Sequence, residues 1–220
     1  MPMLTVNGRQ CHYETTGEGF PLLLSAGGQG TIADWREIMP LLGEVCKTIA
    51  YEYCGSISTA CQADRALWVE DCAALLEALG TERVYLAALG STAQMALAFA
   101  LHAPEHLEGL FLIGMSEDPA TLALSRSGAP HRLVGTTAGA YGWSTLAVPT
   151  LILVGDRVPQ QHQCAAALAA RLPRAQIAVI AGAGCALHHE QPRRLGHAML
   201  DFLIHCERQR NLVRGASLLL

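Results

Sequence analysis

The chain has 220 residues, of which 51% are apolar and only 15% charged, against about 25% charged in an average soluble domain. That balance leaves room for one sizeable core and excludes intrinsic disorder, which needs low hydrophobicity and high net charge. Fifteen basic against nineteen acidic residues give −4 with no basic cluster, which excludes an ordinary nucleic-acid binder.

In chain order, Leu4–Val6 and Gln10–Glu14 flank Asn7-Gly8, a two-residue hairpin signal. Pro21–Leu24 is a short apolar run ending in the glycine-rich SAGGQG. The spacing predicts a helix over Trp35–Leu42, an extended Thr48–Tyr53, and an amphipathic helix Asp64–Leu79 closed by Gly80. Val84–Leu89 reads as an all-apolar strand, followed by a tight turn and a helix Ala93–Ala103 stopped by Pro104. Leu107–Gly114 and Thr150–Val154 read as buried strands, and Cys164–Leu172 as a helix. Ile177–Ile180 is the last predicted strand and Arg193–Cys206 the last predicted helix. Fully apolar strands separated by helices predict an α/β domain, a mostly parallel sheet flanked by helices on both faces.

Two stretches break the rhythm. Residues 115–148 are rich in Ser, Gly, Ala and Thr, and read as an insertion too short for a full helical cap. The tail 207–220 begins polar and ends in three leucines; it either frays or docks on a second subunit. Eight cysteines are scattered, several within apolar segments and none in a CxxC pair. They read as reduced, mostly buried thiols, with no metal site and no cofactor implied. No apolar run approaches the ~20 residues of a membrane helix. The opening MPMLTVNGRQ lacks a basic stretch before an apolar one. A cytoplasmic protein without membrane contact is expected.

Five segments, in order, resemble the landmarks of the α/β-hydrolase superfamily up to about residue 206. PLLLSAGGQG with the following ADW resembles the oxyanion-loop strand, and AYEYCGSIST the extended segment after it. VYLAALGSTAQMALAFALHAPEHLEGLFLIG resembles the elbow strand, elbow helix and next strand. VPTLILVGDRVP resembles the acid-bearing strand, and GAGCALHHEQPRRLGHAMLDFL the histidine loop and closing helix. The resemblance implies a 1–206 α/β-hydrolase-like domain with a reduced cap at 115–148.

The departures carry as much as the match. The family's G-x-S-x-G elbow falls on Ala88-Leu89-Gly90-Ser91-Thr92, so Gly90 takes the nucleophile position. Glycine keeps a strained turn at little steric cost while deleting the hydroxyl. By the same resemblance Val158 falls on the triad Asp and Cys185 on the triad His. A Ser-His-Asp relay needs a hydroxyl, a base and a carboxylate in hydrogen-bond reach; these three positions offer none.

Neighbouring residues are the substitute candidates. Ser91 could serve as a displaced nucleophile, against a plainer role at the helix N-terminus. Cys185 could act as a thiolate if His188 lowers its pKa, against a small buried filler. His188 matches a second histidine frequent in the family's loop, and is either a base or a structural hydrogen-bonder, with His189 pointing to solvent. Glu117 and Asp118 read as a solvated loop pair and Asp156 as a turn former. The binding half of the machinery persists: Gly27, Gly28 and the Ser91 amide beside Gly90 can form an oxyanion nest. Met115, Tyr141 and Trp143 either line the pocket or plug it.

Three functions compete. The first is an atypical metabolic enzyme, a cyclase, isomerase, lyase or cofactor-free oxygenase that acts without an acyl intermediate. The second is a non-catalytic binding or partner protein, and the third a hydrolase with displaced residues. The expected ligand is a small, largely apolar molecule bearing a carbonyl or enolate. A homodimer is expected because the short insertion and apolar tail need cover.

Overall fold

The computed structural model of the protein describes residues 2–26, 31–52, 62–115 and 143–217. Its strands are β1 (Met3–Val6), β2 (Arg9–Thr16), β3 (Pro21–Ser25), β4 (Lys47–Tyr51), β5 (Val84–Leu89), β6 (Leu107–Ile113), β7 (Thr150–Gly155) and β8 (Ala175–Ile180). Its α-helices are α1 (Met39–Leu42), α2 (Gln62–Ala78), α3 (Thr92–His102), α4 (Pro159–Ala169), α5 (Leu187–Glu190) and α6 (Pro192–Ser217). The sheet order is β1-β2-β4-β3-β5-β6-β7-β8. Only β1–β2 and β2–β4 pair antiparallel; the other neighbours are parallel, as all-apolar strands separated by helices require.

Two cores lie on the two faces, and the period-two pleat sorts each strand between them. Leu86 and Ala88 of β5 join Leu23, Leu110, Leu112 and Ile152 under Trp68, Phe99 and Leu168, from α2, α3 and α4. Tyr85, Ala87 and Leu89 join Leu22, Leu24, Phe111 and Leu153 under Leu42 of α1 and Met199 and Phe202 of α6. Each such large side chain taken out of water contributes roughly 1.5–3 kcal/mol. Coverage on both sides is why the central strands β3, β5, β6 and β7 do not alternate polar with apolar, whereas β2 near the sheet edge does.

The amino-terminal hairpin turns on Asn7 (φ 48°) and Gly8 (φ 78°), both in the left-handed region that a type I′ turn needs. It is pinned to α2: Asn7 Nδ2 and Arg9 Nη1 each donate 2.8 Å bonds to the nearly buried carboxylate of Asp71.

Three elements differ from the sequence reading by more than two residues. The helix expected over Trp35–Leu42 is instead a 3-10 turn, Ile32–Trp35, followed by α1. Pro40 explains the break, because inside a helix begun at Trp35 its ring would clash with the carbonyl four residues earlier. α4 starts at Pro159 rather than Cys164, using the first-turn position where proline's missing N–H costs nothing. The closing helix does not stop at Cys206 but continues to Ser217, so residues 207–217 are not frayed. Its polar residues are anchors: Glu207 accepts a 2.7 Å bond from the Tyr85 hydroxyl, and Arg210 lies 3.3 Å from Glu108. Of the expected insertion at 115–148, residues 116–142 lie outside the described residues. No described helix is long and apolar enough to cross a membrane.

Candidate active site

Parallel sheets present ligand sites at the carboxyl ends of their strands, and here the chemistry gathers there. β5 ends at Leu89 and α3 begins at Thr92, leaving Gly90 and Ser91 to make the reversal. Gly90 has φ +56°, a value that L side chains rarely adopt. Its amide donates a 2.7 Å bond to the Ile113 carbonyl at the end of β6, and its carbonyl accepts from the Ala93 amide. The buried Thr92 hydroxyl reaches Leu89 O at 2.9 Å and Ala26 O at 3.2 Å, tying the bend to the chain leaving β3. A Cβ placed on Gly90 would meet nothing within 4 Å among the described residues. The bend is pinned by these hydrogen bonds and, among the described residues, is open where a side chain would stand.

That open space belongs to a cavity of about 240 Å³. Leu89, Gly90 and Ile113 form its apolar floor, and Asp34, Cys185 and His188 bring its polar groups. Cys185 and His188 come from the loop and short helix after β8, which two carboxylates hold in place. Asp156 Oδ2 accepts from Gly182 N at 2.9 Å and Oδ1 from Ala183 N at 3.1 Å. Glu190 accepts from Gly184 N at 2.9 Å and Ala186 N at 3.3 Å, with Arg157 3.9 Å away. The Gly182 amide foremost, then the Ala183 amide and Arg157, hold the Asp156 carboxyl below its usual range against partial desolvation. Asp156 is therefore a clamp on the loop carrying Cys185, more than the local turn former that the sequence suggested.

Cys185 is exposed, in contrast to the buried filler expected of it; the other described cysteines are buried. His188 has 16% of its side chain exposed, and its Nε2 lies 3.9 Å from Asp34 Oδ1. Burial lowers its pKa first, the adjacent His189 adds to that, and Asp34 opposes both. His189 is 60% exposed yet does not simply face water, since its Nε2 is 3.4 Å from the same Asp34 oxygen. The two imidazole centroids are 4.0 Å apart.

The remaining candidates fall elsewhere. Ser91 is half-buried in helical conformation (φ −67°, ψ −29°), makes no capping bond through its hydroxyl, and is absent from the cavity lining. Val158 is the residue before α4, half-buried and apolar. Met115, expected at the pocket, is 2% exposed and packs in the core under α2 and α3. Gly27, Gly28, Glu117, Asp118 and Tyr141 lie outside the described residues, and of Trp143 only its place at the start of a 3-10 turn is described.

Sequence reasoning missed two residues. Asp34 closes a capping box with Thr31, accepting its amide at 3.1 Å through Oδ2 and leaving Oδ1 toward the histidines. The T-x-x-D spacing just before Trp35 was the available signal. Gln161 is fully buried; it accepts from Gly155 N and donates to Gly114 O, both at 3.2 Å, and so ties the ends of β7 and β6. Nothing in the local sequence distinguishes it from a surface glutamine.

No family model matches the chain. Over 114 residues, 49% of this chain, it is 32% identical to the 2-hydroxymuconate semialdehyde hydrolase of Pseudomonas sp. (strain CF600), and the match spans 40% of that relative's length. The meta-cleavage product hydrolase from Pseudomonas fluorescens IP01 superposes with a TM-score of 0.73 at 18% identity, over 93% of this chain and 98% of that one. The enol-lactonase from Burkholderia xenovorans LB400 does so with a TM-score of 0.72 at 16% identity, over 92% and 100%. The chain has the α/β-hydrolase fold. Within that fold, the bend at Gly90 and the loop bearing Cys185 and His188 stand at one end of the sheet and share one cavity.

Proposed function

We propose that this protein uses the α/β-hydrolase fold without its hydrolytic relay, the nucleophile, acid and base positions being held by Gly90, Val158 and Cys185. It takes a small, largely apolar molecule bearing a carbonyl or enolate into the cavity beside Gly90. It transforms that molecule without an acyl-enzyme, by a non-hydrolytic step at the carbon next to the carbonyl. The observation that supports this most is the position ahead of α3, Gly90, which carries a hydrogen and, among the described residues, has room for a side chain. A carbonyl oxygen there would meet the head of α3, whose N-terminal amides favour partial negative charge. The apolar floor accepts the hydrocarbon part, while His188 and Asp34 supply polar groups for an enolic oxygen or a mobile proton.

The test is a thermal-shift screen of hydrophobic ketones, lactones and enols, followed by solvent deuterium exchange into the best binder, read by mass spectrometry. Stabilisation with protein-dependent exchange next to the carbonyl is expected. A screen in which none of these ligands stabilises the protein contradicts the proposal.

Cys185 favours a second reading. It is exposed and shares the cavity with His188, the pairing a thiol hydrolase needs. That reading requires rapid Cys185 alkylation by iodoacetamide and ester turnover abolished in Cys185→Ser. Homodimerisation belongs to the main proposal: Ile177 and Val179 stand 43% and 51% exposed on the edge strand β8. Sedimentation equilibrium reads it directly.

A further inference from the structure

We propose that Asp34, His188 and His189 bind one divalent transition-metal ion on the polar wall of the cavity beside Gly90. One ligand atom from each residue can be chosen so that all three lie within 4.8 Å of one another. The two measured contacts are His189 Nε2 to Asp34 Oδ1 at 3.4 Å and His188 Nε2 to the same oxygen at 3.9 Å. Both exceed the ~2.7–2.9 Å of a charge-assisted hydrogen bond, so the three groups converge without satisfying one another. An ion held at ~2.0–2.2 Å by nitrogen and oxygen ligands spaces its tetrahedral neighbours by ~3.4 Å. The His189 contact is at that spacing already, the His188 contact would close by about half an ångström, and all three ligand atoms start within 4.8 Å of one another.

The surroundings fit a ligand set better than an ordinary ion pair. Asp34 is oriented by its capping box, which occupies Oδ2 and leaves Oδ1 for the ion, a backbone amide serving as the outer partner. Two imidazoles with one carboxylate suit the zinc, cobalt and ferrous class, whereas magnesium and calcium prefer all-oxygen sites. Three protein ligands leave coordination positions open. Because Asp34 and His188 line the cavity, an open position can face a bound carbonyl oxygen and polarise it. That last step rests on the function proposed above; the ion itself needs only the three side chains.

The probe is Co²⁺, titrated into the reduced protein and followed by visible d–d absorption, with Zn²⁺ added to displace it. One equivalent is expected. Loss of an outer-shell partner alone costs ~10–100-fold in affinity, so Asp34→Asn and His189→Ala should each weaken binding at least ~100-fold, and Cys185→Ser should leave it unchanged. His189 is mostly in solvent, so its substitution should leave the circular dichroism spectrum and the melting temperature intact. Absence of a one-equivalent Co²⁺ signal at millimolar ion overturns the proposal. So does binding that survives both Asp34→Asn and His189→Ala, or that is lost in Cys185→Ser. The ketone thermal shift of EDTA-treated protein separates the two claims: if it persists while Co²⁺ fails, the ion is wrong and the cavity stands.

Discussion

The floor and the wall of the cavity are built in opposite ways. The floor, at the bend between β5 and α3, is held by backbone bonds and by Thr92, and its central residue offers no side chain. The wall, the segment after β8, is held by the carboxylates of Asp156 and Glu190, and it presents a thiol and the His188 imidazole to the cavity. At the floor a sharp bend between β5 and α3 carries a glycine, while side-chain chemistry is concentrated on the other side. Scaffold and chemistry are therefore separable here: the bend depends on φ and main-chain bonds, which glycine satisfies, and the wall depends on particular side chains.

The contrast can be broken most severely at the floor. Gly90→Phe should fill the cavity and abolish ligand stabilisation in the thermal-shift assay. Gly90→Ser should carry a backbone penalty of roughly 1–2 kcal/mol for its left-handed conformation and still show no ester turnover. Adding Val158→Asp and Cys185→His to Gly90→Ser should produce labelling by a fluorophosphonate, because the three positions that the proposed function assigns to a relay would then be filled. Labelling of the single Gly90→Ser variant at a comparable rate would show that the wall already supplies a working base.

Next in size is the brace beneath the site. Gln161→Leu removes two buried hydrogen bonds to the ends of β6 and β7. A loss of about 1–3 kcal/mol in chemical denaturation is expected. Smaller, and sharper in its pH dependence, is the loop clamp. The folded-state pKa of Asp156 is depressed, so its stabilising contribution is complete above the ordinary carboxyl range and is lost as pH falls through the folded value. The melting temperature of the wild type should therefore drop more steeply than that of Asp156→Asn as pH falls below about 4; parallel curves would remove Asp156 from the clamp. The smallest effect is reserved for Ser91→Ala. It should change stability by less than ~0.5 kcal/mol and leave ligand binding untouched, since that hydroxyl makes no capping bond and does not line the cavity.

Much of the fold was legible because its signals are local. The Asn7-Gly8 turn, the apolar runs of β5, β6 and β7, and the stop at Pro104 each follow from residues within a few positions. The tight turn at Gly90 was legible too, since strand, turn and helix are contiguous there. What escaped the sequence is what depends on distant partners. Asp34 meets His188 and His189 only because the 3-10 turn after β3 and the segment after β8 fold over the same strand ends. Gln161 is buried because it bridges two strand ends, and the ERQR segment is helical because Glu207 and Arg210 find Tyr85 and Glu108. Cys185 looked like filler by residue type, and its exposure is set by the clamped loop that carries it.

The central claim, that no hydroxyl nucleophile acts at this bend, is tested most directly by intact mass after incubation with a fluorophosphonate and an activated ester. The account predicts an unmodified wild-type mass and no burst of released alcohol. A stoichiometric adduct mapped to Ser91, with ester turnover abolished in Ser91→Ala, would contradict it.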